Sequence, residues 1–111
     1  MSLKDLSEHE RQVVFECLRA TVEGPFFDEW EFATLFGLER SEVARVLAAV
    51  PDLDESDETT FQAIAGSMGQ LLGYPHQQEQ AWHRFISVTP KQLLAIYDKW
   101  DTNHEPRTRN A

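Results

Sequence analysis

The stretch Glu23-Gly-Pro-Phe-Phe-Asp-Glu-Trp-Glu-Phe-Ala-Thr-Leu-Phe-Gly37 decides the fold of this chain. It carries four of the seven phenylalanines (Phe26, Phe27, Phe32 and Phe36) and one of the three tryptophans, Trp30. A buried Phe stabilises by roughly 1.5–3 kcal/mol relative to an exposed one, so the other elements should dock on a cluster this dense. Asp28 is a good N-cap with Glu31 three residues on, and Gly37 suits a left-handed C-terminal cap. Between them Phe32 and Phe36 share a helical face, with Trp30 and Ala33 beside it. The Pro25-Phe26-Phe27 lead-in places a hydrophobe just before the cap, as a hydrophobic staple would.

On the N-terminal side, Ser7 and Glu10 form a capping box. Val14, Cys17, Leu18 and Val22 then fall on one helical face, widened by Val13 and Phe15, until Gly24-Pro25 stops the helix. On the C-terminal side, a helix over about Arg40 to Val50 places Val43, Val46, Leu47 and Val50 at helical spacing, and Pro51 ends it. The acidic loop Asp52–Glu58 should supply the cap and negative first turn of the next helix. That helix has the stripe Phe61, Ile64, Ala65, Met68, Leu71 and Leu72. Gly66 and Gly69 lie on or beside the stripe, each costing about 1 kcal/mol of helix propensity, which implies close approach of another helix. Gly73-Tyr74-Pro75 terminates it. Ala81, Trp82, Phe85 and Ile86 can form a short fifth helix. In the last, Thr89 caps, Pro90 takes the first turn, Gln92 completes a capping box, and Leu93, Ile96, Tyr97 and Trp100 form the stripe. No stretch alternates as a strand does. The expected fold is all-α: one compact domain of five or six short helices over residues 1–100, with 101–111 a flexible tail.

Composition narrows function more than it names it. At 111 residues the chain has room for one domain and a core that requires neither metal nor disulfide. The single cysteine, Cys17, lies on an apolar face and reads as a small buried hydrophobe in a reducing compartment. The N-terminus lacks the apolar run of a signal peptide, and no segment approaches the roughly 20 apolar residues of a membrane span. A cytoplasmic protein is expected. The net charge is −9, and it is unevenly placed. Residues 1–58 hold fifteen acids and five bases, whereas residues 59–111 hold four acids and five bases. Such a field repels phosphate and favours basic partners.

Residues 29–48 resemble the helix-turn-helix of bacterial DNA-binding domains, with Ala33 at the helix crossing, Gly37 in the turn, and Phe32, Phe36, Leu38, Val43 and Val46 at the apolar sites. The resemblance implies a second helix that enters the major groove, presenting Glu39, Arg40, Ser41, Ala44 and Arg45. Asp28, Glu29 and Glu31 would then lie against phosphate, and Glu39 and Glu42 would bracket the groove-facing side, so DNA binding through Arg40, Ser41 and Arg45 is the alternative reading only. Asp52–Glu58 is not a calcium loop: Asp57 stands where the sharp-turn glycine belongs, and Ala63 where the bidentate Glu does. None of His9, His76, His83 and His104 forms an i, i+4 zinc pair, although His76 and His83 would meet if residues 76–86 are helical. No nucleophile elbow, phosphate-cradling loop or nucleotide fingerprint is present. No catalytic residue, metal or cofactor is expected.

The segments Glu23-Gly-Pro-Phe-Phe, Trp30-Glu-Phe-Ala-Thr-Leu-Phe-Gly37 and Leu71-Leu-Gly-Tyr-Pro-His76 are together similar to those of a family of small acidic bacterial helical proteins. The resemblance spans most of residues 7–100, and implies a bacterial, cytoplasmic, single-domain protein without a transferable activity. The function expected from the residues is non-enzymatic: an acidic module, like an immunity protein or antitoxin, that covers a basic protein surface. The expected contact residues are Asp28, Glu29, Glu31, Asp52, Asp54, Glu55, Asp57 and Glu58.

Overall fold

The aromatic segment acts as a hub because its rings face several elements at once. In the computed structural model, which describes residues 3–102, Phe27 meets Phe32 edge-on at 6.3 Å and Phe36 at 5.1 Å, and Phe32 stacks on Phe36 at 4.4 Å. Phe27 stands just before the cap residue and Phe32 in the first turn after it, so their contact is the expected hydrophobic staple. Phe26 faces the other way, toward Trp82 and Phe85. Two consecutive residues thus join separate parts of the core.

Six α-helices follow a short 3-10 turn at Leu3–Asp5: α1 Glu8–Glu23, α2 Glu29–Phe36, α3 Arg40–Ala48, α4 Glu58–Gly73, α5 Glu79–Phe85 and α6 Pro90–Thr102. Among the described residues there is no strand. The fold is all-α and forms one compact body, with a radius of gyration of 13.1 Å against the roughly 13 Å of a folded chain this long. The centre is α1 against α4, with α3 packed across both. Val13, Val14, Cys17 and Leu18 of α1 and Ala63, Ile64 and Met68 of α4 are fully buried. Burial pushes the Cys17 thiol far above its usual pKa, so it serves as core packing.

Helix ends follow the sequence signals closely. Ser7 Oγ accepts from Glu10 N–H, and Ser7 N–H donates back to the Glu10 carboxylate. Thr89 and Gln92 repeat the arrangement at α6. Asp57 caps α4 by accepting from Thr60 N–H. Gly37, at φ 70°, closes α2 in the left-handed conformation. At Gly66 the requirement is close approach: a Cβ there would sit 2.7 Å from the Phe36 ring.

Four local expectations change. Asp28 takes the N-cap position of α2 but makes no side-chain capping bond, and Glu31 turns to Tyr74 instead of closing a capping box. Ala33 is exposed and does not lie at a helix crossing. At the C-terminus, α6 extends through buried Asp101 to Thr102, past the helix end expected at Trp100. Residues 103–111, including His104 and most of the expected tail, lie outside the described residues. Finally, Leu3 and Leu6 are buried core members ahead of α1, where the sequence reading placed none. Their i, i+3 spacing was the available signal.

Candidate functional site

The eight acidic residues expected to form one contact surface fall into two separate groups. Asp28, Glu29 and Glu31 begin α2. Glu31 accepts a hydrogen bond from the Tyr74 hydroxyl, just past the C-terminal end of α4. Asp52, Asp54, Glu55, Asp57 and Glu58 instead lead into the N-terminal end of α4. That helix has 16 residues, a length of about 24 Å, and it holds the two groups apart.

The loop group is largely turned to folding. Glu55 accepts from Leu3 N–H at 2.8 Å and from the Trp100 indole N–H at 2.9 Å, joining the start of the described chain to its last helix. Asp54 accepts from Ser56 N–H and Oγ–H, which holds its carboxyl below the usual range, and Asp57 caps α4. Asp52 and Glu58 are exposed.

The α2 group surrounds an anomaly. Trp30 is 77% exposed, while Trp82 and Trp100 are buried. Its neighbours on the outer face of α2, Asp28, Glu29, Ala33 and Thr34, are exposed as well. Two residues along a helix correspond to a separation of about 160° around the axis, so burying Phe32 turns Trp30 outward. Behind this face, the Glu31 hydrogen bond and negative charge raise the Tyr74 hydroxyl pKa.

Arg40, a candidate DNA contact, is directed into the fold. Its Nη1 donates to the Thr21 and Val22 carbonyls at 2.9 and 3.1 Å, its Nη2 to Phe27 O at 2.9 Å, and its Nε to Glu29 at 2.8 Å. The guanidinium also lies 4.5 Å over the Phe32 ring. Thr21 and Val22 belong to the last turn of α1, where carbonyls lack helical partners, so Arg40 acts as a side-chain cap. Ser41 and Arg45 remain exposed on α3. A clue to Arg40 lay in the sequence: a cation in the first turn opposes the helix dipole, which calls for compensation elsewhere.

The structure brings His76 and His83 together, because residues 79–85 are helical. Both line a cleft of about 460 Å³ at the end of α4. His9 is exposed on α1. Among the described residues, no three His, Cys, Asp or Glu side chains could hold a metal ion, and no helix is long and apolar enough to cross a membrane.

Comparison with known proteins finds no match. No family model, curated protein or solved structure corresponds to the chain.

Proposed function

We propose that this chain is a non-enzymatic, cytoplasmic protein-binding module whose contact face is the outer side of α2, centred on Trp30 and directed at a basic partner surface. The observation that carries the reading is the exposed Trp30 in a fold that buries its other tryptophans. Tryptophan is enriched among residues that dominate binding energy at interfaces, where it contributes a large apolar area at small entropic cost. Asp28 flanks it and supplies charge complementarity that speeds association, while the neighbouring Glu29 is exposed but paired with Arg40. The acidic loop lies at the other end of α4 and forms no part of this face. An immunity- or antitoxin-like role fits this reading.

The test is affinity capture from native lysate at low salt, with and without nuclease, using the parent protein and Trp30→Ala in parallel. A basic protein retained by the parent, released by salt and absent from the Trp30→Ala capture is the expected result. Capture that ignores both salt and Trp30 would overturn the reading. So would enrichment of a DNA segment that depends on Ser41 and Arg45.

A further inference from the structure

We propose that the cleft between the end of α4, residues 74–78 and α5 binds a small uncharged ligand bearing an amide-type acceptor and donor side by side on an apolar body. Its volume of about 460 Å³ falls within the range of roughly 300–1,000 Å³ common to small-molecule sites. Leu72, Pro75, Trp82 and Pro90 supply apolar lining, and His76 and His83 the polar groups.

Hydrogen bonds within the chain determine what each imidazole can offer. Gln78 N–H donates to His76 Nδ1 at 2.9 Å, so this nitrogen carries no proton and the ring proton resides on Nε2. His83 Nδ1 lies 3.1 Å from the Ile86 carbonyl oxygen, which can only accept. The His83 proton is therefore on Nδ1, and Nε2 of the neutral ring keeps its lone pair. One histidine is left with a donor and the other with an acceptor. An amide, with its carbonyl oxygen next to an N–H, is the complementary group.

The surroundings prepare this arrangement. The His76 ring packs edge-on against Phe26 at 4.9 Å and stacks near Trp82 at 6.1 Å, so its orientation is set before a ligand arrives. Gln77 holds φ 57°, a left-handed conformation uncommon for residues with a side chain, in the turn that brings Gln78 N–H to His76. Trp82 is itself anchored by its indole N–H, which donates to Val88 O at 2.7 Å.

Other ligand classes fit less well. A metal ion requires a lone pair on the open nitrogen of His76, which instead bears the proton. An anion would meet Glu79 on the lining, and the Tyr74 hydroxyl is already engaged by Glu31. A wholly apolar molecule would leave Nε2 of both imidazoles unused.

Benzamide is the probe, with benzoate as its anionic counterpart, titrated into the labelled full chain and followed by two-dimensional NMR. Saturable shifts confined to the amides of Tyr74, residues 76–83 and the Trp82 indole are expected, with the millimolar affinity typical of a fragment this size. Benzoate should bind at least about tenfold more weakly. His83 is exposed, so His83→Ala should preserve the fold, reported by an unchanged Trp82 indole resonance, and weaken benzamide about tenfold. Absence of saturable shifts in the cleft, equal affinity for benzoate, or unchanged benzamide affinity in His83→Ala would each overturn the proposal. The cleft shares no residue with the Trp30 face, so either reading can fail alone.

Discussion

The start of α2 and the loop before α4 are alike as sequence, each a short acidic run leading into an aromatic helix, and unlike as structure. In the loop, Glu55 receives Leu3 N–H and the Trp100 indole, Asp57 caps α4, and Asp54 closes a turn. At α2 the N-cap bond is absent, Asp28 is exposed, and Trp30 stands outward among carboxylates. One run is directed at backbone and indole N–H groups of its own chain. In the other, Glu29 pairs with Arg40 and Glu31 accepts from Tyr74, but Asp28 is left in solvent beside a residue suited to binding. The abundance of acid in a sequence therefore measures field, not available surface: neighbouring donors determine which carboxylates remain for a partner.

Arg40 and Arg45 test this difference within a single helix, and the largest effect belongs there. Arg40→Ala removes donors from three carbonyls and a cation from the Phe32 ring, and should cost about 2–4 kcal/mol by urea denaturation. Arg40→Lys should recover only part of it, because one ammonium cannot reproduce the planar fork. Arg45→Ala, on the exposed side, should stay within about 0.5 kcal/mol. Similar costs at the two arginines would break the inward–outward distinction.

The acidic groups come next. Glu55→Ala leaves the Trp100 indole and Leu3 N–H without their acceptor, and should destabilise by about 1.5–3 kcal/mol. Asp28→Ala and Asp52→Ala should change stability by no more than about 0.5 kcal/mol, both being exposed. Glu55→Ala should also shift the NMR resonances of α6, whereas the other two should not.

Two glycines of α4, Gly66 against Phe36 of α2 and Gly69 against Tyr97 of α6, sharpen the comparison. Gly66→Ala would place a methyl 2.7 Å from the buried Phe36 ring, which is stacked on Phe32 and has little freedom to move. Overpacking of about 1–3 kcal/mol should outweigh the gain in helix propensity. Gly69→Ala meets only the Tyr97 hydroxyl at 3.6 Å, an ordinary contact, and should stabilise by up to about 1 kcal/mol. Opposite signs in thermal unfolding are the expected result.

How much of this was legible follows from the range of each interaction. Capping boxes, the staple and the helical stripes are local, so Ser7–Glu10, Thr89–Gln92 and Phe27–Phe32 could be read directly. The boundaries of α1 and α2 and the start of α3 were readable for the same reason, whereas α3 ends at Ala48, two residues before the expected Val50. Contacts such as Glu55 to Trp100, Arg40 to Thr21 and Tyr74 to Glu31 span 19 to 45 residues and depend on how helices cross. No local pattern encodes them, so the separation of the two acidic groups along α4 could not be read from the sequence. The His76–His83 cleft was half legible: helical spacing across 79–85 allowed the meeting, but the tautomers depend on Gln78 N–H and Ile86 O. Trp30 was a different case. Its position opposite Phe32 could be read from the helical repeat, yet the density of surrounding aromatics drew it into the presumed core.

Trp30 also carries a small expected stability effect, and the most diagnostic one. A tryptophan in the core, replaced by alanine, costs roughly 3–5 kcal/mol, whereas one that is 77% exposed has little burial to lose. Trp30→Ala should change the unfolding free energy by less than about 0.5 kcal/mol, and alanine's better helix propensity offsets part of the lost contact. The fluorescence of the native parent should therefore include a component accessible to aqueous quencher, absent from Trp30→Ala, while the buried Trp82 and Trp100 stay shielded. If Trp30→Ala unfolds the protein, the indole belongs to the core and the binding face disappears with it. If stability holds while capture of the basic partner is lost, the outer face of α2 is maintained by function and not by folding.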